Sequence, residues 1–390
     1  MVYIHAAGKP RALPGLPCVI ACVTQAWSQP ATEVSKDSIC VWETIMVKNL
    51  AVFFDGTWNE PNDRTNVYEL YKAAPETSTQ ETLYIEGVGT QGQGLWSAID
   101  KFMGGAFGAG LSANIRQGYR WLCQRHEAGD RIFLFGFSRG AYSARSLAGM
   151  VRKCGLLKNP TEDGVAEAYA LYRDDCAPSS IEAAAFRDRF SRETDLHFVG
   201  VWDTVGSLGI PVGGIPFPGF SGFYNFHDTE LSNHVLNAYH AIATNEYREP
   251  YFPTLWTRRA GSPPRPAHLP VEQRWFIGAH SDVGGGYQDG SLQTLPASWL
   301  QEKARQAGLE AGTVQRISTD YEQCEPHDSY KEFTEKVPIP VKKRPRLWDR
   351  ETVLNLTIDD RLVRRFERNQ AFLREYPDFR DALGELEVGK

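Results

Sequence analysis

Three short stretches carry residue types that together can perform nucleophilic acyl transfer: a serine between glycines, an aspartate closing one apolar run, and a histidine just past another. They are Ser138 in Gly136-Phe137-Ser138-Arg139-Gly140, Asp203 in Asp203-Thr204-Val205-Gly206, and His280 in Gly278-Ala279-His280-Ser281-Asp282. A serine hydroxyl is a weak nucleophile until a neighbouring base takes its proton, which is the work of a histidine. The aspartate then orients the imidazole and stabilises the imidazolium. A serine in a glycine-rich turn, an aspartate capping a turn and a lone histidine are each ordinary structural features. It is their context that joins them.

That context is a repeated pattern. Arg131–Phe135 is a short apolar run of strand composition, and from Ser143 onward Ala144, Leu147, Ala148 and Val151 recur at helical spacing. The pentapeptide between them fits the G-x-S-x-G elbow, which holds a serine on a strained strand-to-helix turn. Leu196–Trp202 and Gln273–Ile277 read as buried strands, so Asp203 and His280 also sit at strand ends. The chain order Ser138, Asp203, His280 is that of α/β hydrolases.

The same logic assigns supporting roles. A tetrahedral oxyanion needs preorganised donors, expected from the backbone N–H of Arg139 and from that of Gly56 or Thr57, which follow the apolar strand Leu50–Phe54. The Arg139 guanidinium is expected to make a structural ion pair rather than bind a phosphate head group. Asp55 and Asp282 flank these loops. Without a set of alternating oxygen ligands around them they are read as hydrogen-bonding braces, not as a metal site. Ile210–His227 is rich in Pro, Gly and aromatics with almost no charge, and is read as a lid or acyl-group wall, or as a loop folded onto the core; Phe217, Phe220 and Phe223 are its candidate substrate contacts.

Stepping outward, helices are expected over 66–73, 112–127, 164–172, 181–190, 233–245, 296–307 and 362–373, and a further strand over 82–85. Strand and helix in alternation predict an α/β fold, with a mostly parallel sheet covered by helices on both faces. The catalytic domain is expected to run from 46 to 307 with insertions at 155–195 and 205–270, followed by a partly helical extension over 308–390. Residues 1–45 are read as a disordered leader or an upstream-extended start, with Met46 leading straight into the first strand.

Composition narrows the function classes. The 390 residues are 42% hydrophobic and 23% charged, with a net charge of −6, as in ordinary soluble proteins. No basic stripe interleaved with aromatics points to nucleic acid, and Lys342–Arg346 is read as a solvated loop. Seven scattered cysteines form neither a metal-type pair nor a disulfide framework, which favours free thiols in a reducing, cytoplasmic setting, with export or delivery elsewhere as the alternative. No apolar run approaches the ~18 residues of a membrane span. Gly104, Gly105, Gly108 and Gly110 lack the preceding strand and the lysine of a phosphate-binding loop, so they are read as a mobile loop or as small-residue helix packing, and no nucleotide or other cofactor is expected. His227, His234 and His240 have no ligand-like pattern and are read as structural.

Several stretches in order also carry a resemblance: FFDGTWN at 53–59, Thr65-Asn66, GFSRGAYSAR at 136–145, VGVWDTVGSLG at 199–209, YHAIATNE at 239–246 and GAHSDVGGGY at 278–287. Together, over roughly Lys48 to Leu300, they resemble the DUF2235 family, which includes the catalytic domain of Tle1-type type VI secretion phospholipase effectors. The resemblance implies a Ser-Asp-His triad on Ser138, Asp203 and His280, and an ester or lipid substrate. A phospholipase A-like activity is the leading expectation. A soluble short-chain esterase and a hydrolase-like binding protein with a lapsed triad are the alternatives.

Overall fold

The computed structural model describes residues 47–57, 59–88, 106–206, 230–258, 261, 263–314, 321, 323–336, 341–346 and 352–368. The expected leader and the 210–227 segment with Phe217, Phe220 and Phe223 lie outside the described residues, as do Gly104 and Gly105. The elements that position the site begin with β1 (Asn49–Phe54), α1 (Asn66–Ala73), β2 (Gln80–Ile85), α2 (Ala106–Arg125), β3 (Arg131–Phe137) and α3 (Arg139–Cys154). There follow α4 (Glu162–Arg173), α5 (Ile181–Phe190), β4 (Phe198–Trp202), β5 (Ala238–Ala243), β6 (Val271–Phe276), α6 (His280–Gly284) and α7 (Thr294–Gln306). After these come α8 (Ser329–Lys336), β7 (Leu356–Ile358) and α9 (Asp360–Arg368).

All of β1 is buried, because both faces of the sheet are covered. Leu50, Val52 and Phe54 pack with Ile115, Leu122 and Leu147 of α2 and α3. Ala51 and Phe53 point the other way, into a layer with Val67 and Leu70 of α1, Trp299 and Leu300 of α7, and Leu362 and Phe366 of α9. An aromatic row crosses four strands in that second layer: Phe53 on Phe135, Phe135 on Phe198 and Phe198 on Tyr239, with ring centroids 4.9, 5.4 and 5.4 Å apart. Offset aromatic pairs of this kind add about 0.5–1.5 kcal/mol each beyond the area they bury.

The fold class is α/β: a seven-stranded sheet of order β2-β1-β3-β4-β5-β6-β7 in which every pairing is parallel. The register aligns Phe54 with Gly136, Phe137 with Trp202, and Ala243 with Phe276, so the C-terminal ends of these strands open on one edge. The strand order reverses between β1 and β3. In open parallel sheets that reversal leaves a crevice beyond the strand ends, where ligands bind.

The helix expected over 233–245 is instead the interior strand β5, 238–243, buried along its whole length. A strand covered on both faces loses the two-residue alternation that marks strands at a surface, and its alanines imitate helical spacing. The helix α2 begins at Ala106, earlier than expected, and its Gly110 lies where a Cβ would stand 2.1 Å from Val88 Cγ1. Beyond α7 the chain stays with this sheet: Asn49 donates to the Gly308 carbonyl at 2.8 Å, Tyr321 is buried, and β7 pairs with β6. Among the described residues no helix is long and apolar enough to cross a membrane, and Cys123, Cys154, Cys176 and Cys324 are free thiols.

Candidate active site

Ser138 stands between β3 and α3 with φ 57° and ψ −120°, in the left-handed half of the map that a serine rarely enters. Its amide donates to the Trp202 carbonyl at the end of β4 at 3.0 Å, and its side chain makes no capping bond to α3. The neighbouring glycines are explained by contact. A Cβ on Gly140 would lie 2.2 Å from the Phe54 carbonyl oxygen and 2.4 Å from that of Asp55, and one on Gly136 would lie 2.5 Å from the Gly140 carbonyl oxygen. The first turn of α3 is thereby pressed against the end of β1.

Asp203 and His280 meet across the ends of β4 and β6. His280 Nδ1 lies 2.5 Å from Asp203 Oδ2, although the residues are 77 positions apart. An ionised carboxylate only accepts, so Nδ1 carries the hydrogen and Nε2 is left with its lone pair. The Phe137 ring lies 4.6 Å from the His280 ring, which sets the imidazole beside the residue that precedes Ser138, and the Tyr251 ring meets the imidazole in a T-shaped contact at 4.9 Å. Burial lowers the His280 pKa below the ordinary imidazole value, against the opposing pull of Asp203 and Glu246. The imidazole is therefore neutral at neutral pH.

The carboxylate is held far more heavily than the histidine alone would require. Burial pushes its pKa up, but the Arg346 guanidinium and the His280 hydrogen bond outweigh burial and hold Asp203 well below the usual carboxylate range. Arg346 Nη1 donates to Oδ1 at 2.6 Å and Nη2 to Oδ2 at 2.9 Å, while the Ala243 amide donates to Oδ1 at 2.9 Å. Asp203 itself has φ 39°. A second buried pair lies alongside: Glu246 accepts from Arg248 Nε and Nη2 at 2.8 Å each, from the Ser329 hydroxyl at 2.8 Å and from the His280 amide at 3.3 Å. Burial raises the Glu246 pKa and Arg248 more than reverses this, so Glu246 is lowered to about 2.

The loop after β1 lies at the same edge. Asp55 accepts from the Gly56 amide, the Thr65 hydroxyl and the Tyr84 hydroxyl, each at 2.7 Å, and burial pushes its pKa up to about 6. The Gly56 N–H is thus engaged by Asp55. Thr57 is its buried neighbour, and its hydroxyl has no hydrogen-bond partner among the described residues. Asn66 ties this loop to the histidine end by donating to the Val283 carbonyl at 2.8 Å. Asp282 accepts from the Ala279 amide at 2.9 Å and from His327 N and Nδ1 at 3.0 and 2.7 Å. Arg139 carries its guanidinium within electrostatic reach of Tyr251 and of the like-charged Arg248.

The other histidines fill structural positions. His240 Nε2 accepts from the Thr204 amide at 3.0 Å and its Nδ1 faces Gln273 Oε1 at 3.3 Å, which steadies the backbone directly after Asp203. His234 Nε2 meets the Ala148 carbonyl at 3.0 Å. His227 lies outside the described residues.

Sequence reasoning missed Arg346. Lys342, Lys343, Arg344 and Pro345 are exposed as expected of a solvated loop, but Arg346 is only 1% exposed and ends on Asp203. A basic run gives no sign of which member turns inward. Nothing local to Asp203 announces a partner 143 positions away.

Residues 48–303 match the family described as the type VI secretion system phospholipase effector Tle1-like catalytic domain. The chain belongs to this family. A relative of the Tle1-like domain in Saccharomyces cerevisiae (strain ATCC 204508 / S288c), the uncharacterized protein YEL023C, is 31% identical over 243 residues. The alignment takes in 54% of this chain and 34% of the yeast protein, so it spans about a third of that relative's length. Among solved structures, an uncharacterized protein from Pseudomonas aeruginosa is 18% identical with a TM-score of 0.39, over 70% of this chain and 47% of its own. An acetylxylan esterase is 13% identical with a TM-score of 0.29, over 67% and 98%. Ser138, Asp203 and His280 lie inside the Tle1-like span. His327, Ser329 and Arg346 lie beyond it.

Proposed function

We propose that this Tle1-like domain is a serine hydrolase that cleaves carboxylic esters through an acyl-enzyme on Ser138, with acyl esters of phospholipids as the favoured substrate. The observation that carries the reading is the 2.5 Å contact between His280 Nδ1 and Asp203 Oδ2, with the His280 ring 4.6 Å from that of Phe137, the residue before a serine held at φ 57° on the strand-to-helix turn. Ser138 Oγ attacks the ester carbonyl as its proton passes to His280 Nε2. The tetrahedral oxyanion accepts from the Arg139 N–H and from the Thr57 N–H, since the Gly56 N–H already serves Asp55. Collapse breaks the C–O bond to the alcohol, which leaves with the proton from the imidazolium. Water, deprotonated by the same imidazole, then releases the fatty acid and restores Ser138.

Family membership supports a lipid ester, and the apolar sequence of 210–227 supports an acyl wall. The lowered His280 pKa adds a signature. The base remains unprotonated into mildly acid solution, so the acid limb of kcat/KM falls below the ordinary imidazole value. A fluorophosphonate probe tests the core of the reading, because only an activated serine reacts: the native protein is labelled and Ser138→Ala is not. An acyl-length series of p-nitrophenyl esters followed by phospholipid vesicles then fixes the substrate. Hydrolysis that survives in Ser138→Ala would overturn the mechanism. Activity confined to short soluble esters would replace the phospholipase with an esterase.

A further inference from the structure

We infer that Arg346, supplied from beyond the Tle1-like span, is a positioning residue for this reaction: it locks the Asp203 carboxylate so that Oδ2 stays aimed at His280 Nδ1. The inference rests on the ester-hydrolase reading and extends it to a residue outside the matched family region.

The geometry is that of a clamp. Each terminal nitrogen of the guanidinium divides its donors between the carboxylate and the backbone. Nη1 reaches Asp203 Oδ1 at 2.6 Å and the Ala243 carbonyl at 2.7 Å; Nη2 reaches Asp203 Oδ2 at 2.9 Å and the Tyr251 carbonyl at 2.5 Å. The two carbonyls belong to the end of β5 and to the turn after Glu249, so the planar fork is fixed before it meets the acid. Asp203 needs such a hold. Its backbone is in the left-handed region and its carboxylate is wholly buried, where an unpaired charge is costly.

Charge points the same way. Among the described residues, the groups facing the His280–Asp203 pair are Arg346 from the C-terminal segment, Glu246 with Arg248 bound to it, the Tyr251 ring and the neutral His240 beneath Thr204, with Arg139 in electrostatic reach of Tyr251 and Arg248. Asp203 and Arg346, like Glu246 and Arg248, are balanced pairs. Removal of Arg346 leaves a surplus negative charge next to the imidazole, which then takes up its proton at higher pH.

The test is the pH profile of p-nitrophenyl ester hydrolysis, with rates counted per serine labelled by the fluorophosphonate so that unfolded protein does not enter. In Arg346→Gln, kcat is expected to fall at least about tenfold, short of the roughly 10⁴-fold that a lost triad acid costs elsewhere, with KM little changed. Its acid limb moves to higher pH by about one unit or more, the size of shift a close charge produces. Arg346→Lys keeps the charge without the fork, so the rate falls while the acid limb stays near the native position. Millimolar guanidinium restores part of the rate to Arg346→Ala. Native rates per labelled site and an unmoved acid limb in Arg346→Gln would overturn the inference. Should the single variants fail to fold, Asp203→Asn is compared with Asp203→Asn, Arg346→Met, from which both buried charges are absent. Equal kcat in the two supports a role through Asp203, and a further loss refutes it. The ester-hydrolase reading has a separate control: it fails if the native protein is neither labelled nor active, or if the native rate persists in Ser138→Ala.

Discussion

The two ends of the candidate active site are built by different physics. At the elbow, Ser138 is placed by backbone geometry within a few residues: a positive φ, a strand ending, and a glycine that lets α3 touch the end of β1. At the acid–base end, Asp203 and His280 are placed by buried charge drawn from far along the chain, with Arg346 143 positions from Asp203 and Ser329 83 positions from Glu246. Ser138 depends on steric fit, and Asp203 and His280 depend on electrostatic pairing. Substitutions at the two ends should therefore fail in different ways.

The largest effect is expected from Asp203→Asn. One of the two carboxylate oxygens becomes an NH₂ that faces donors from Arg346 and either His280 or Ala243, and a buried guanidinium loses its counter-charge. Breaking a buried pair from one side costs about 3–5 kcal/mol of stability, and kcat should fall by on the order of 10⁴ as the histidine loses its tautomer. Urea denaturation and steady-state rates measure both, and a native melting curve would mean that the acid–base end is not held by charge.

A smaller loss is expected at the elbow. Gly140→Ala places a methyl group against the carbonyl oxygens of Phe54 and Asp55, neither of which can swing away, and overpacking of this kind costs about 1–3 kcal/mol. The first turn of α3 must back off from β1, so the Arg139 amide is displaced and kcat falls even in the folded protein. Unchanged kcat with lowered stability would show that the close approach serves packing alone.

The smallest effect comes from mild acid, and it sharpens the contrast because buried groups at the two ends titrate in opposite directions. Burial lowers the pKa of His280, of His240 to about 3 and of His234 to about 4, so below the ordinary imidazole value the unfolded chain takes up protons that the folded chain refuses. Stability should begin to decline as the pH drops through that value. Glu246, lowered from 4.5 to about 2, and Asp203 contribute stability that is complete above the ordinary carboxylate range and is lost as the pH falls through it. Asp55, raised to about 6, works in the opposite direction, since its folded form binds a proton first. Denaturation midpoints measured across the acid range give the balance; a midpoint that rises toward acid would mean that Asp55 outweighs the others.

What could be seen in the sequence follows the same division. The elbow was legible because a pentapeptide, a preceding apolar run and a following helical period all concern neighbours in the chain. Asp203 and His280 were legible as strand ends, and Thr65-Asn66 as part of a resembling set whose physical reason, the tie to Val283 and the cap of α1, only the fold reveals. The strand β5 was not legible, because alanines buried on both faces carry no alternation. Arg346 could not be found at all. Its partner is set by the path of the chain, and four exposed neighbours make it look solvated.

Arg346 also has a consequence for how the protein is born. A ribosome that has delivered Ser138, Asp203 and His280 has already made the whole proposed triad, yet the cation paired with Asp203 is still to be translated. At roughly 5–20 residues per second, the 143-residue interval between Asp203 and Arg346 keeps the nascent chain without it for on the order of 10 s. During that interval the acid lacks its counter-charge, and ester cleavage should lag behind synthesis. If Arg346 seats the acid as proposed, a growing polypeptide with this architecture cleaves esters only slowly until its late arginine arrives.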